Sequence, residues 1–303
     1  MRVGRVYIAL VIGLLTAAGE LCAQQQWKIR NANSKHYFSV SAGCGYYSLL
    51  ENIPELRTTG GAAGMLNVGY ELRYNRFCMM LGVDVQYGAS TMYMAPFSAH
   101  RDIYDTQGKR VSMHYYVGRY SDTQSSLRVG LPLLFGFYTN SFYGVLGAKF
   151  AYVPMTVSIP EMRYTTTGTY EQYIVDFENM PNHFYADYTT PGREEIHMHP
   201  QGLVVAEVGY DLLNKERMSS YARCSVLKIA LYAEYGLNSC MSGLAHDEQT
   251  YEINPADPSQ LIVSSYYARK NLRGARIVPF YVGVKLTYLI RIRTANCHCE
   301  SIW

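Results

Sequence analysis

The stretch Phe77-Cys78-Met79-Met80-Leu81-Gly82-Val83-Asp84-Val85-Gln86-Tyr87 decides the fold. Phe77, Met79, Leu81, Val83, Val85 and Tyr87 share one parity, whereas Cys78, Met80, Gly82, Asp84 and Gln86 share the other. A period of two puts successive side chains on opposite faces of a strand, so one face is apolar and the other small or polar. Val204, Ala206, Val208, Tyr210 and Leu212 oppose Leu203, Val205, Glu207, Gly209 and Asp211 in the same way. Leu227, Ile229, Leu231, Ala233, Tyr235 and Leu237 likewise oppose Lys228, Ala230, Tyr232, Glu234 and Gly236. Working outward, the pattern predicts eight strands, at 36 to 47, 64 to 74, 76 to 88, 127 to 138, 142 to 153, 202 to 213, 226 to 237 and 277 to 289. Their length, about ten residues or slightly more, is what a strand needs to cross a bilayer.

Alternation alone also fits a soluble barrel with the two faces exchanged. Two features choose between them. Gly43, Gly45, Gly69, Gly82, Gly130, Gly136, Gly147, Gly209, Gly236 and Gly283 lie on the polar face. Facing water they would weaken every strand, whereas inside a narrow eight-stranded barrel they leave room for long charged neighbours. The connections also alternate: 48 to 63, 89 to 126, 154 to 201 and 238 to 276 are long, while Asn75, Thr139 to Ser141 and Asn214 to Ser225 are shorter. Short turns at one end and long loops at the other predict an antiparallel up-and-down transmembrane β-barrel, with periplasmic turns and extracellular loops. No other apolar run reaches helix-spanning length, so a membrane-resident chain must cross as a closed barrel.

Composition agrees. Of the 303 residues 14% are aromatic, 29 being tyrosine, and 17% are charged, against roughly 25% in soluble domains. Basic and acidic residues, 27 and 24, nearly cancel at +3 without a basic run, which argues against a nucleic-acid partner. With the glycine face inside, Glu71, Asp84, Glu207, Asp211 and Glu234 meet Arg73, Arg128, Lys149, Lys228 and Lys285 in the lumen. Opposite charges in a confined space can pair, so a salt-bridged, plugged lumen is expected; a proton or ion relay is the competing reading. Tyr46, Tyr70, Tyr74, Tyr87, Tyr152, Tyr210, Tyr235 and Tyr288 fall on the outer set near strand ends, as interface girdles would, although tyrosine is abundant throughout.

The segments LRVGLPLLFGFYTNSFYGVLGAKFAY from Leu127 and VPFYVGVKLTYLIRI near the end resemble the outer-membrane β-barrel family abundant in Bacteroidetes, of the small OmpA-like or PorT-like eight-stranded kind. The resemblance implies a strand in which Pro132 is tolerated and a last strand carrying Gly283-Val284-Lys285-Leu286-Thr287-Tyr288. It departs at the end, where fifteen residues follow Tyr288 instead of the chain closing near an aromatic residue.

Arg2 and Arg5, an apolar run from Val6 to Ala18 and Leu21-Cys22-Ala23 predict a signal peptide cleaved after Ala23. Gly19-Glu20-Leu21 lacks the small residue a lipidated Cys22 wants before it. The remaining parts are a periplasmic segment 24 to 35, the barrel 36 to 289 and a periplasmic tail 290 to 303. Cys44, Cys78, Cys224, Cys240, Cys297 and Cys299 then remain, and their spacing selects no disulfide pairing.

Candidate chemistry is sparse. His197 and His199 could chelate a metal from one strand face, but two ligands are no site, so neither metal nor cofactor is expected. Cys297-His298-Cys299 is open to metal ligation, redox pairing, a disulfide to a partner or no chemistry. His100, His114, His183 and His246 fall in predicted external loops without a nucleophile motif. Loop tyrosines, Tyr115, Tyr116, Tyr120, Tyr164, Tyr170, Tyr173, Tyr185, Tyr188, Tyr266 and Tyr267, suit either ligand anchoring or loop packing. The expected protein is a non-enzymatic outer-membrane barrel of a Gram-negative bacterium, with a structural or surface-interaction role. Its partners are outer-membrane lipid and the barrel-assembly machinery, with periplasmic or extracellular proteins as further candidates. The alternatives are an outer-membrane component of a secretion or envelope complex, docking through the tail, and a rim-acting lipid or peptide hydrolase.

Overall fold

A computed structural model describes residues 34–52, 56–104, 108–139, 141–170, 184–214, 225–241, 251–268 and 276–292. The leader, the segment 24 to 33, the tail from 293, Cys224, Cys297, Cys299, His183, His246, His298 and Tyr173 lie outside the described residues.

The described residues form antiparallel β-structure. In chain order the strands are β1 (Ser34–Glu51), β2 (Leu56–Tyr74), β3 (Phe77–Met94), β4 (Phe97–Tyr104), β5 (Arg110–Thr139), β6 (Phe142–Tyr170), β7 (Phe184–Pro191), β8 (Glu194–Glu195), β9 (Gln201–Asn214), β10 (Ser225–Gly236), β11 (Tyr251–Ile253), β12 (Leu261–Val263) and β13 (Ile277–Ile292). A 3-10 turn spans Tyr266–Ala268. Hydrogen bonding runs β5-β3-β2-β1-β13-β10-β9-β6, and pairing of β6 with β5 closes these eight into a ring. Each segment read from the sequence falls in one ring strand. The exceptions are Leu237, one residue past the end of β10, and Arg76, which joins Asn75 (φ 54°) in the tight turn between β2 and β3. Asparagine tolerates that left-handed conformation because its short polar side chain can bond locally.

Three of the segments expected as loops are largely strand: 48 to 63 holds the end of β1 and the start of β2, and 89 to 126 and 154 to 201 hold the long reaches of β5 and β6 with β4 and β7. β5 and β6 run for 30 and 29 residues, far past the ring, and with β4 and β7 on their flanks they form a four-stranded sheet extension. The reason lies in the parity. Below Leu127, apolar Val129, Leu131, Leu133, Phe135 and Phe137 face outward; just above it, Ser121, Thr123 and Ser125 take the same face. At Gly118 the pairing with β6 slips by one residue, between Val117 and Arg119, so that Val111, Met113, Tyr115 and Val117 turn inward with the opposite parity. A bulge reverses which residues face the core, which hides a long strand from a single-period reading.

Pro132 leaves another mark. The β3–β5 ladder pairs Leu81 with Leu133 and Asp84 with Gly130 but skips the residues between. Proline has no N–H to offer there. Gly82 and Pro132 accordingly border an interior cavity of about 20 Å³, room for a water molecule, which Glu71, Glu207, Lys228 and Lys285 also line.

The core has two parts. Within the ring, the glycine-bearing face is interior and carries the charges, while Leu66, Val68, Val83, Val208, Leu231 and Leu286 point out and are exposed. In the extension the interior is apolar: Leu49, Met92, Val117, Met162, Leu261 and Val263 pack in one cluster. The β11–β12 hairpin and the 3-10 turn lie against the inner face of β5 and β6 and cap the ring at that end. Tyr115 donates to Pro258 O at 2.6 Å, Tyr164 Oη accepts from Leu261 N at 2.6 Å, and Thr166 donates to Ser259 O at 3.0 Å.

Candidate functional site

Strand alternation delivers the interior charges, and they sit at two levels. Nearer the short turns, Glu71 accepts from Arg73 Nε at 2.6 Å and Lys228 Nζ at 2.9 Å, and Arg73 reaches Asp211 at 3.2 Å. Lys285 donates to Glu207 at 2.8 Å. Tyr138 adds a hydrogen bond to Asp211 at 2.7 Å and Tyr143 one to Glu207 at 2.6 Å. The Tyr143 ring also lies 3.6 Å beneath Lys228 Nζ, and the Tyr138 ring 4.2 Å from the Arg73 guanidinium. Higher in the ring, Lys149 bridges Asp84 at 2.9 Å and Glu234 at 2.6 Å, while Tyr232 donates to Glu234 at 2.6 Å. Gly130 makes this triad possible. A Cβ there would stand 2.2 Å from Lys149 Cε and 2.6 Å from Asp84 Oδ1.

All the lumen residues expected from the sequence are thus interior, and all but Arg128 join an ion pair. Arg128 is 1% exposed, stacks 4.6 Å from the Tyr47 ring, and has no hydrogen-bond partner for its guanidinium nitrogens among the described residues. Glu234 Oε2, Asp84 Oδ1 and the Gln86 amide are buried beside it in the same condition. Buried donors and acceptors in such numbers need ordered water between them, since an unpaired buried polar group costs about 1–3 kcal/mol. The tyrosines Tyr138 and Tyr143 were not among the expected site residues. Their signal was parity, which Tyr143 shares with Lys149 and Tyr138 with Arg128.

The cap holds a second polar cluster that the sequence does not reveal. Asp122 is buried where β5 leaves the ring, accepting hydrogen bonds from the Ser158 hydroxyl, from Ser265 Oγ at 2.7 Å and from Tyr266 N at 3.0 Å. Burial pushes its carboxyl above the ordinary 3.8, against the pull of the two serines. Glu51, accepting from Tyr267 Oη at 2.8 Å, is likewise raised by burial. These groups come from β1, β5, β6 and the last long connection, and only folding gathers them.

His197 and His199 are exposed, alternating with buried Met198, and no group of three or more potential metal ligands occurs among the described residues. Cys44 is exposed, and Cys78 and Cys240 are buried; none of the three forms a disulfide. Among the loop tyrosines, Tyr115, Tyr120, Tyr164, Tyr266 and Tyr267 are buried in the cap rather than displayed, whereas Tyr116 is exposed and Tyr188 half-buried. The side chains of Tyr170 and Tyr185 lie outside the described residues.

His100 and His114 face each other across β4 and β5, with ring centroids 4.6 Å apart. Ser112 Oγ lies 2.6 Å from His100 Nε2, and Asp102 Oδ1 lies 3.5 Å from the same atom. A serine–histidine–carboxylate relay needs serine on one imidazole nitrogen and the carboxylate on the other. Here both reach Nε2, and Arg110 pairs with Asp102, so the group is not arranged as a hydrolytic relay.

No family model and no curated protein matches the chain. Among solved structures it is similar to Ail, the attachment invasion locus protein of Yersinia pestis, at 11% identity and a TM-score of 0.25, covering 84% of this chain and 99% of that one. It is also similar to a mutant of TodX, a monoaromatic hydrocarbon channel, at 8% identity and a TM-score of 0.18, covering 87% of this chain and 91% of that one. Both are outer-membrane β-barrel proteins.

Proposed function

We propose that this chain is a non-enzymatic outer-membrane β-barrel protein of a Gram-negative bacterium, with a plugged, salt-bridged lumen and a structural or surface-interaction role in the envelope. One observation carries the reading: the ring is inverted relative to a water-soluble barrel. Its outward side chains form an apolar belt, and its charges are inside. In water such a belt would be an aggregation surface; in lipid it is the solvated face. Tyr46, Tyr87, Tyr152 and Tyr235 lie outward toward the extension, and Tyr70, Tyr74, Tyr210 and Tyr288 outward toward the short turns, as two interfacial girdles require. The tight Asn75-Arg76 turn fits the periplasmic end and the sheet extension the cell exterior. Met1–Ala23 serves as the export signal, and lipid and the assembly machinery are the obligatory partners. The paired charges below and the packed cap above support a closed lumen over a conducting one.

The test is electrophoresis of purified outer membranes with and without boiling, after protease treatment of intact cells. A heat-modifiable, membrane-resident band cut only within the extension and cap is expected. A soluble, heat-insensitive protein would overturn the reading.

A further inference from the structure

We propose that His100 and His114 form a two-histidine site for a late first-row divalent metal ion of the copper, nickel and zinc class, on the outer face of the sheet extension. The site goes beyond the membrane reading and does not depend on it.

Register brings the two residues together. His100 on β4 is the direct partner of His114 on β5. Directly opposed residues in an antiparallel pair hold their Cβ atoms about 4.5–5.5 Å apart, close enough for two imidazoles to converge. They do converge: both Nε2 atoms are aimed at one point, the Ser112 hydroxyl, at 2.6 Å from His100 and 3.5 Å from His114. An ion at about 2.0–2.1 Å from each nitrogen would take the place of that hydroxyl between the two rings, which turn to meet it. Imidazole nitrogen suits copper, nickel and zinc, whereas calcium and magnesium prefer oxygen. Asp102 Oδ1, 3.5 Å from His100 Nε2, adds negative charge at the rim, while its other oxygen is held by Arg110. With two protein nitrogens the remaining positions belong to solvent, so the ion is exchangeable and open to an external ligand.

The consequence is mechanical as well as chemical. Among the described residues β4 pairs only with β5, so it is an edge strand at the outer tip of the molecule. An ion shared by His100 and His114 ties that edge to the long strand behind it. Ligand binding to the native state alone stabilises what it binds, so exchange of the β4 amides should slow.

The experiment uses the full chain in detergent micelles with His197 and His199 both replaced by alanine, which removes the other histidine pair. Cu²⁺ is added and its electron paramagnetic resonance spectrum recorded. Two coordinated nitrogens are expected; His114→Ala or His100→Ala should leave one and weaken binding at least tenfold. Independently, Zn²⁺ should slow hydrogen exchange across Phe97–Tyr104 in the background protein and have no effect after His114→Ala. Both histidines are exposed, so an unchanged β-sheet circular dichroism spectrum and thermal transition in each variant checks folding. A copper spectrum and affinity unchanged in the double variant His100→Ala/His114→Ala, or zinc-independent exchange of β4, would overturn the site.

Discussion

Two long strands, β5 and β6, run through both the ring and the sheet extension, yet each region is the other turned inside out. In the lower half of β5 and β6, Leu131, Leu133, Phe135, Leu146 and Phe150 face out while Arg128 and Lys149 face in. In the upper half of β5, Val111, Met113, Tyr115 and Val117 face in while Arg110, Ser112, His114 and Tyr116 face out. Two slips in the β5–β6 pairing effect the exchange, one at Gly118 that reverses the parity of β5 and one opposite Arg128 that reverses that of β6 between Val153 and Thr156. The difference teaches that the solvent around each half dictates its pattern. A lipid-facing wall leaves polar groups nowhere to go but the interior, whereas a water-facing sheet hides its apolar face as any soluble protein does.

The sharpest way to break this contrast is to remove Lys149. Lys149→Met leaves Asp84 and Glu234 buried together without the cation that bonds them, Arg128 being the remaining positive charge beside them, and losing one partner of a buried pair costs about 3–5 kcal/mol. Urea unfolding in micelles should show that loss, and adding Asp84→Asn and Glu234→Gln should recover much of it. A Lys149→Met protein as stable as its parent would mean that Arg128 or interior water takes over the two carboxylates. Next in size is Val83→Arg, on the outward belt, for which about 2–4 kcal/mol is expected near the bilayer centre. Ser98→Arg, outward on β4, should stay within about 0.5 kcal/mol. Equal effects at the two positions would remove the distinction between lipid-facing and water-facing walls.

A smaller effect isolates the packing inside the ring. Gly130→Ala drives a methyl into Lys149 and Asp84, and overpacking of this kind costs about 1–3 kcal/mol. Gly144→Ala, on the outer face with nothing within 4 Å, is the matched control and should be close to neutral. If the two alanines behave alike, interior glycines are not there to make room for charges.

How much of this was legible depends on whether one period governs a segment. Phe77 to Tyr87 carries an unbroken alternation, and the ring strands with their interior charges follow from it. So does the interior placement of Glu71 and Lys228, although which cation meets which carboxylate is set by register between strands far apart in sequence. The long strands were not legible, because parity reverses at Gly118 and the outward residues turn from Leu and Val to Ser and Thr. A polar segment with a broken period looks like a loop. The cap was hidden for another reason. Asp122, Ser158 and Ser265 carry no local signal at all, and Tyr120 and Tyr164 look like exposed anchors until the last connection folds over them. Arg128 illustrates the limit in the other direction, since its face was plain but its lack of an ion pair was not.

The cap offers the gentlest contrast, because among the described residues its buried acids have no ion pair, whereas those of the ring do. Asp122 is raised from the ordinary 3.8 and Glu51 from 4.5, in each case chiefly by burial. Among the described residues the groups around them are Glu194, which adds repulsion at Asp122, Asp122 itself, which adds repulsion at Glu51, and the neutral hydroxyls of Thr58, Tyr120, Tyr267, Ser158 and Ser265. A carboxyl raised in the folded state favours folding most when protonated. Its contribution is fully present below the unfolded value and is lost as pH rises through the folded one. The cap should therefore tighten on acidification, over a window that begins near 3.8 for Asp122 and extends upward. Hydrogen exchange across Tyr251–Ala268, corrected for its intrinsic dependence on pH, should slow as pH falls toward that window. Asp122→Asn keeps a neutral group of the same shape and should flatten most of the dependence, leaving the share from Glu51. The ring amides of β9 and β10 should show no such trend over the same range, because their carboxylates hold lysine or arginine. If acid instead loosens the cap, Asp122 is stabilised as an anion by its serine and backbone donors, and the two regions handle buried carboxylates alike.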